Sequence, residues 1–330
     1  MSRYLITGAT GFLGRHLTAA LLADGHEVVA LAREATRDLG AAEIVLGDVL
    51  DRDSVKRATT GVSGVFHCAG RVSRAAPKDA GALHQLHVVG TRNVLDAARA
   101  AGARRVVVAS TSGTIGISER ADVVADEDSP TPHDLIALFP YYRSKLYQEQ
   151  ESLAANDDSL EVVVVNPSLL LGPGDVHGSS THDVWLFMTR AIPATPSGGV
   201  AYVDARDAAA GMALAMAKGK PGRRYLLNAS NVTVREFFAR LSRLSGVAAP
   251  AFALPRSRRF ATAATSVLSR AVSIIGGELA VDAASVEMGQ LYWYVSATRA
   301  ERELGFSPRD PNVTLADTIR DLNARPAVPV

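Results

Sequence analysis

In the stretch LFPYYRSKLYQEQ, Tyr141 and Lys145 stand four residues apart. In a helix that spacing puts them on one face about a turn apart, and an ammonium beside a phenol favours the phenolate. A phenol that ordinarily titrates near pH ~10 then becomes usable for proton exchange with an alcohol near pH ~7. Upstream, VVVASTSGTIG ends a strand-like run in a cluster of hydroxyls. Thr111, with Ser110 and Ser112 as alternatives, is the candidate to hydrogen-bond a carbonyl oxygen and hold it against Tyr141. The plainer reading of both stretches is an exposed Tyr/Lys helix face and a polar strand end. A third cluster precedes them: YLITGATGFLGRHL sets Gly8, Gly11 and Gly14 after an apolar run and before an apolar-periodic segment, with a second strand, EVVALAR, at the distance of a βαβ unit. Such a loop cradles a dinucleotide pyrophosphate at the positive end of a helix. Gly8 serves the tight turn, Gly11 the approach of backbone amides, and Gly14 the close packing of the helix. A strand-to-helix turn without a ligand is the bland alternative.

Two positions bear on the kind of dinucleotide. Asp48, in LGDVL after the third strand-like run, suits an adenine amine, or else a helix N-cap. About 20 residues after the glycine loop, where an acidic residue would hold the ribose hydroxyls of NAD(H), the chain has Ala32, followed by Arg33 and, one helical turn on, Arg37. The repelling carboxylate is absent and a guanidinium is at hand for a 2′-phosphate. NADP(H) is therefore expected, with NAD(H) as the alternative.

These residues need elements to carry them. Short β-type runs (RYLIT, EVVAL, EIVLG, GVFHC, RRVVVAS, EVVVVN) alternate with longer Leu/Ala-rich stretches such as 83–101. Continuous Val/Ile runs separated by helices predict an α/β fold of the Rossmann type, a doubly wound parallel sheet covered on both faces. Residues 1–166 are expected to form the dinucleotide-binding domain. Residues 167–330, where Gly/Pro/Ser-rich loops weaken the alternation, are expected to form mainly a smaller substrate lobe, with some segments returning to the sheet. Helices are expected near 234–245 and 257–275.

Composition excludes other classes. With 47% hydrophobic residues the 330-residue chain can bury a large core, so disorder is not expected. The 35 basic and 34 acidic side chains leave a net charge of +1, so no global field recruits nucleic acid or an anionic membrane; a small-molecule substrate fits better. The single cysteine, Cys68, rules out an internal disulfide, and nothing in the spacing of Cys and His suggests a metal site. The amino end enters a strand at once, and no run of 18 apolar residues appears, which predicts a cytoplasmic protein.

Taken together, TGATGFLG, GDVLDRDS, VFHCAG, GTRNVLDAARAAG, VVVASTSGTIG, YYRSK, VVVVNPSLLLGPGD, YVDARDAA and SATRAERELGFSPR resemble the extended short-chain dehydrogenases/reductases over nearly the whole chain. The dihydroflavonol-reductase-like and hopanoid-associated sugar-epimerase-like branches are the most similar. The resemblance implies hydride transfer at a nicotinamide, with Tyr141 as acid/base, Lys145 holding the ribose and lowering the tyrosine, and Thr111 as the Ser/Thr partner. It extends the cofactor contacts to Gly8, Thr10, Gly11, Phe12, Leu13, Gly14, Arg33, Asp48, Val49, Ala69, Gly70, Tyr141, Lys145, Pro167 and Ser168. Ser112, Gly113 and Trp185 are the substrate candidates. A homodimer through helices near 83–101 and 141–155 is implied as well, and an apolar stripe on both would support it.

The departures from the family pattern narrow the substrate. His87 stands in HVVGT where an Asn is common, either joining the proton relay with a pH-sensitive ring or packing as an ordinary helix histidine. Thr114, Ile115 and Gly116 replace a VYG, and GGVAYVDARD replaces RDFVYVDD, so two handles for a sugar nucleotide are missing. DVWLFMTRAI suggests an apolar or aromatic substrate, unless Trp185, Phe187 and Met188 are ordinary core. The segment 257–275, with its basic start at Arg256, Arg258 and Arg259, reads as a lid helix over the pocket rather than a membrane-surface helix. The expected protein is an NADP(H)-dependent oxidoreductase of a small apolar or aromatic carbonyl/alcohol pair. The alternatives are a sugar epimerase/dehydratase with tightly held NAD and, in another class, a non-catalytic dinucleotide sensor.

Overall fold

A computed structural model describes residues 1–36, 38–72, 79–255 and 283–325. The six strand-like runs become β1 (Arg3–Thr7), β2 (Glu27–Ala32), β3 (Glu43–Leu46), β4 (Gly64–His67), β5 (Arg105–Ala109) and β6 (Glu161–Pro167). Three short strands follow, β7 (Leu169–Leu171), β8 (Ala194–Thr195) and β9 (Gly199–Asp204), before β10 (Arg224–Leu227) returns to the main sheet. The sheet has seven strands, all parallel, in the order β10-β6-β5-β4-β1-β2-β3. This is the doubly wound fold expected. In β5 and β6 successive valines alternate between two cores. Val107, Val163 and Val165 pack under α1 (Phe12–Ala23) and α8 (Ala205–Lys218), whereas Val106, Val108, Val162 and Val164 pack with Val55, Val94 and Leu95 on the other face. A period of two with both faces covered is what turns an uninterrupted Val run into an interior strand.

Strand order reverses beside β1, whose neighbours are β4 and β2, and the crevice at the carboxyl ends of such strands is where this fold binds ligands. Beyond β6 a second sheet, β11 (Ser230–Thr233), β9 and β7, packs against α9 (Val234–Ser245) through Tyr202, Phe237, Phe238 and Leu241. The α9 bounds coincide with the sequence expectation: Thr233 caps it by accepting from Glu236 N–H at 3.1 Å, and Gly246 leaves it at φ +75°. The proposed lid helix at 257–275, and Arg37, lie outside the described residues.

The helix expected over 83–101 is broken. After α3 (Ala80–His84) comes a π turn, Gln85–Val89, before α4 (Gly90–Ala100). The turn brings the ring of His87 wholly inside. Along these helices Leu83, Val94, Leu95 and Ala98 are buried, Leu86 and Val89 are half-buried, and Arg92 on α4 pairs with Glu151 on α6 (Pro140–Ala154). Among the described residues no helix is long and apolar enough to cross a membrane.

Candidate active site

The glycine loop is built on contact. Gly8 has φ +73°, and a Cβ there would come within 2.6 Å of the Ala69 backbone nitrogen; a Cβ on Gly14 would stand 2.2 Å from the Gly8 carbonyl oxygen. Both neighbours are backbone and cannot swing away, so the turn and the first helix accept only glycine. Gly11 donates its N–H to Gly8 O at 3.0 Å and leads into α1 in an extended conformation. Around this loop the carboxyl ends of the neighbouring strands bring the remaining candidates to one sheet edge: Ala69 and Gly70 after β4, Asp48 and Val49 after β3, Arg33 after β2, Pro167 and Ser168 at the end of β6. Asp48 accepts Leu50 N–H at 2.9 Å, whereas the cap of α2 (Arg52–Ala58) is Asp51, so the capping alternative for Asp48 falls away. Asn93 fixes Val49 by donating to its carbonyl at 2.9 Å. Thr10 gives its carbonyl to the Arg15 guanidinium, Phe12 packs edge-on against His16, and Leu13 reaches the cavity beyond. Arg33 is exposed.

That cavity, of about 980 Å³, opens at the end of β5 and β6. Thr111, Ser112, Gly113 and Tyr141 lie on its wall, together with Leu13, Pro167 and Ser168. The hydroxyls of the TST cluster divide. Ser110 donates to the buried Glu149 carboxylate at 2.8 Å and is used internally; Thr111, partly exposed, caps the short turn Ser112–Thr114 by accepting from Gly113 N–H at 3.4 Å. Glu149 also accepts from Asn166 at 2.7 Å and pairs with Arg224 at 2.9 Å, which pins the helix bearing Tyr141 to β6 and β10.

Tyr141 and Lys145 share a face of α6, but the ammonium is not spent on the phenol. Lys145 Nζ donates to Ala109 O at 2.9 Å and to Gln148 Oε1 at 2.8 Å. A Cβ on Gly70 would sit 3.3 Å from the same nitrogen, so bare backbone at residue 70 is what leaves its remaining side open to a ligand. The expected lowering of Tyr141 by Lys145 is therefore corrected: burial, with Tyr142 adding to it, pushes the phenol above its ordinary value. Burial also pushes Lys145 down to about 8, against the opposing pull of Cys68 and Glu149.

His87 completes the network in one tautomer. Its Nε2 accepts Arg71 N–H at 3.2 Å, so Nδ1 carries the proton and donates to Ser144 Oγ at 2.8 Å; that hydroxyl in turn donates to the Tyr141 carbonyl at 2.7 Å. Burial, with Lys145 next, pushes the ring down to about 2. Of the two readings of His87, this buried and doubly hydrogen-bonded setting favours the packed helix histidine. Beneath it, Gln148 donates to Thr91 Oγ1 at 2.8 Å, and His67 joins Thr91 at 2.8 Å to Thr7 of β1 at 2.7 Å. A chain of buried hydrogen bonds thus links the strand that launches the glycine loop to Lys145. Sequence reasoning missed Gln148, Thr91 and His67, whose only signal is being polar at core-facing positions.

Trp185 is not on the cavity wall. It stacks on His182 at 5.7 Å, while α7 (His182–Met188) presents Leu186 to the cavity and gives Val184 and Phe187 to the core. The aromatic wall comes instead from Tyr142 and Trp293, 4.8 Å apart, with Phe237 and Phe238. Gly113 makes room for them: a Cβ would meet the Tyr142 ring at 2.3 Å. Nothing in the sequence linked Trp293 to this site.

The chain matches the model of the NAD dependent epimerase/dehydratase family over residues 4–227. It is 34% identical over 327 residues to a dihydroflavonol 4-reductase-like protein of Synechocystis sp., covering 96% of this chain and 93% of that one. It is 36% identical over 256 residues to sterol demethylase protein B of Methylococcus capsulatus, 76% of this chain and 77% of that one. The solved structure of gox2253 superposes with a TM-score of 0.83 at 29% identity, over 98% of both chains.

Proposed function

Because the chain belongs to the NAD-dependent epimerase/dehydratase family, among the extended short-chain dehydrogenases/reductases, and is an NAD(P)-dependent oxidoreductase, we propose that it is an NADP(H)-dependent reductase of an apolar or aromatic ketone or aldehyde. One observation carries this reading: Thr111 and Tyr141 both lie on the wall of a largely apolar cavity at the sheet edge that also holds the glycine cradle. The cradle fits a dinucleotide, since Gly8 and Gly14 leave no space for any side chain between loop and helix. When bound, the nicotinamide supplies the hydride.

The chain's own residues do the rest. Thr111 O–H hydrogen-bonds the carbonyl oxygen and Tyr141 O–H delivers the proton to it; a phenol raised by burial is fully protonated at neutral pH, which suits an acid in the reductive direction. Lys145, with two donors committed to Ala109 and Gln148, keeps its third for the ribose hydroxyls beside Gly70. His87 is a positioning residue in this reading, bracing Ser144 and the backbone of Tyr141 rather than relaying protons. Arg33, in place of a carboxylate, receives the 2′-phosphate. The relative named as a reductase supports this choice, as do the missing sugar-nucleotide handles. A homodimer through α4 and α6 would have to accommodate the Arg92–Glu151 pair.

The test is NADPH depletion with a panel of apolar ketones, aromatic aldehydes and sugar nucleotides, in wild type and Tyr141→Phe. One NADPH consumed per apolar alcohol formed, with turnover lowered by about 10²–10⁴ in the variant and NADPH affinity kept, is the expected result. Turnover of a sugar nucleotide without net consumption would identify an epimerase, and binding without any turnover a sensor. Either would overturn the proposal.

A further inference from the structure

Helix α7 ends in a way its sequence should not allow. Ala191 N–H bonds to Leu186 O at 2.8 Å and Arg190 N–H to Phe187 O at 3.0 Å, the paired bonds of a Schellman ending, whose left-handed residue is ordinarily glycine. Here that residue is Arg190 at φ +59°, alone among the described non-glycine residues in having a positive φ. Such a conformation is unfavourable for a residue with a Cβ, and outliers of this kind cluster at ligand-binding sites. Every other left-handed residue described is a glycine, Gly246 and Gly305 at helix ends included.

The place of Arg190 fits a ligand-binding site. It lies on the wall of the large cavity and also on that of a second, of about 310 Å³, with Ile192, Pro193 and Phe252 common to both. The two cavities thus share a wall, and Arg190 is part of it. Arg190 is exposed, and among the described residues its side chain has neither an ion pair nor a hydrogen-bond partner. Asp183, the one carboxylate among the described residues on the wall of the large cavity, is two turns back along α7. From the catalytic hydroxyls to Arg190 the lining is mainly aliphatic and aromatic.

We propose that Arg190 is an anion handle, and that the substrate is an elongated apolar carbonyl compound bearing a carboxylate or phosphate at the end remote from the carbonyl. The proposal rests on the reading of the cavity as a reductase substrate site and assigns its substrate class. Apolar contact fills the body of the cavity, and the charged end reaches the shared wall, where water and the exposed Arg190 meet it. Arg190 is a specificity residue in this scheme and takes no part in the chemistry.

Binding tests it without any turnover. In a Trp185→Phe background Trp293, on the cavity wall, is the sole tryptophan and reports occupancy by its fluorescence. Decanoate, decyl phosphate and decan-1-ol share one apolar body and differ at one end. The expected result is that at least one anion binds about fivefold tighter than the alcohol, the size of a solvent-facing charge-assisted contact, and the anion that does so identifies the group. In Arg190→Gly the advantage should vanish while Tm rises from relief of the left-handed backbone; Arg190→Lys should keep part of it. Equal binding of all three ligands, no binding by any, or an advantage that survives in Arg190→Gly would overturn the proposal. An Arg190→Gly variant with lowered Tm and an intact advantage would mark Arg190 as a helix-end charge only. A protein that never oxidises NADPH yet shows the Arg190-dependent gap would overturn the reductase reading, and with it the carbonyl substrate, while keeping Arg190 as an anion handle.

Discussion

Replacing Gln148 with Met removes the one side-chain acceptor of Lys145 while keeping length and volume. Thr91 loses a donated hydrogen bond but keeps its bonds to His67 and to the His87 carbonyl, so the lysine bears the damage. A hydrogen bond to a charged group contributes about 1.5–3 kcal/mol, and 1.36 kcal/mol is one pH unit of titration. Taking the lower end, because Ala109 O still accepts, Lys145 should move down from about 8 by about one unit. If the protonated amine is the active form, kcat/KM should fall about threefold at pH 7.5 and about eightfold at pH 8.5, with no loss at pH 6. Stability follows the same proton. Lys145 titrates below its ordinary 10.5 when folded, so the cost of burying its charge is fully present below about pH 8 and fades as pH rises toward 10.5. In the variant that recovery should begin about one unit lower, which urea titrations at pH 6, 7.5 and 9 would resolve. An alkaline limb of kcat/KM that does not move in Gln148→Met, in a protein that still folds, would refute the tether.

Three further outcomes are expected. Arg33→Ala should weaken NADPH about tenfold and leave NADH nearly unchanged, because a solvent-facing guanidinium on a phosphate contributes roughly one charge-assisted hydrogen bond; equal losses by calorimetry would remove Arg33 from the cofactor site. Gly14→Ala forces α1 away from the Gly8 carbonyl, now 2.2 Å from the added Cβ position, and should cost about 1–3 kcal/mol in stability along with at least tenfold in dinucleotide affinity; a well-folded variant with unchanged affinity would show that the loop binds nothing there. With the His87 ring held down to about 2, kcat should stay level between pH 5 and 7; an inflection near 6.5 that disappears in His87→Asn would restore the histidine to the proton path.

What the sequence made legible is whatever depends on local order. Uninterrupted Val runs locate β5 and β6, and the glycine spacing locates the β1–α1 turn, because backbone contacts there admit one residue type. Tyr141 and Lys145 were placed on a common helix face by their spacing, yet where the ammonium points was set by Ala109, thirty-six residues away, and by a glutamine with no motif of its own. The π turn at Gln85–Val89 defeats a 3.6-residue count, since it adds a residue to one turn and rotates His87 inward. Trp185 stands in an apolar stretch near the expected pocket, yet the cavity wall is closed by Trp293, more than a hundred residues further on.

The return of β10 to the sheet has a consequence for biosynthesis. As the chain leaves the ribosome, β6 emerges with an open edge, and Val107, Val163 and Val165 lie bare on the face that α8 later covers. Some sixty residues separate the end of β6 from the end of β10, several seconds of translation at ordinary rates. During that interval the nascent protein presents an unpaired parallel strand beside an uncovered valine surface, the features that recruit chaperones and seed aggregation. A fragment cut at residue 166 would hold that state permanently. Slowing synthesis at codons within 168–223 should therefore lower the soluble yield more than slowing it after 227.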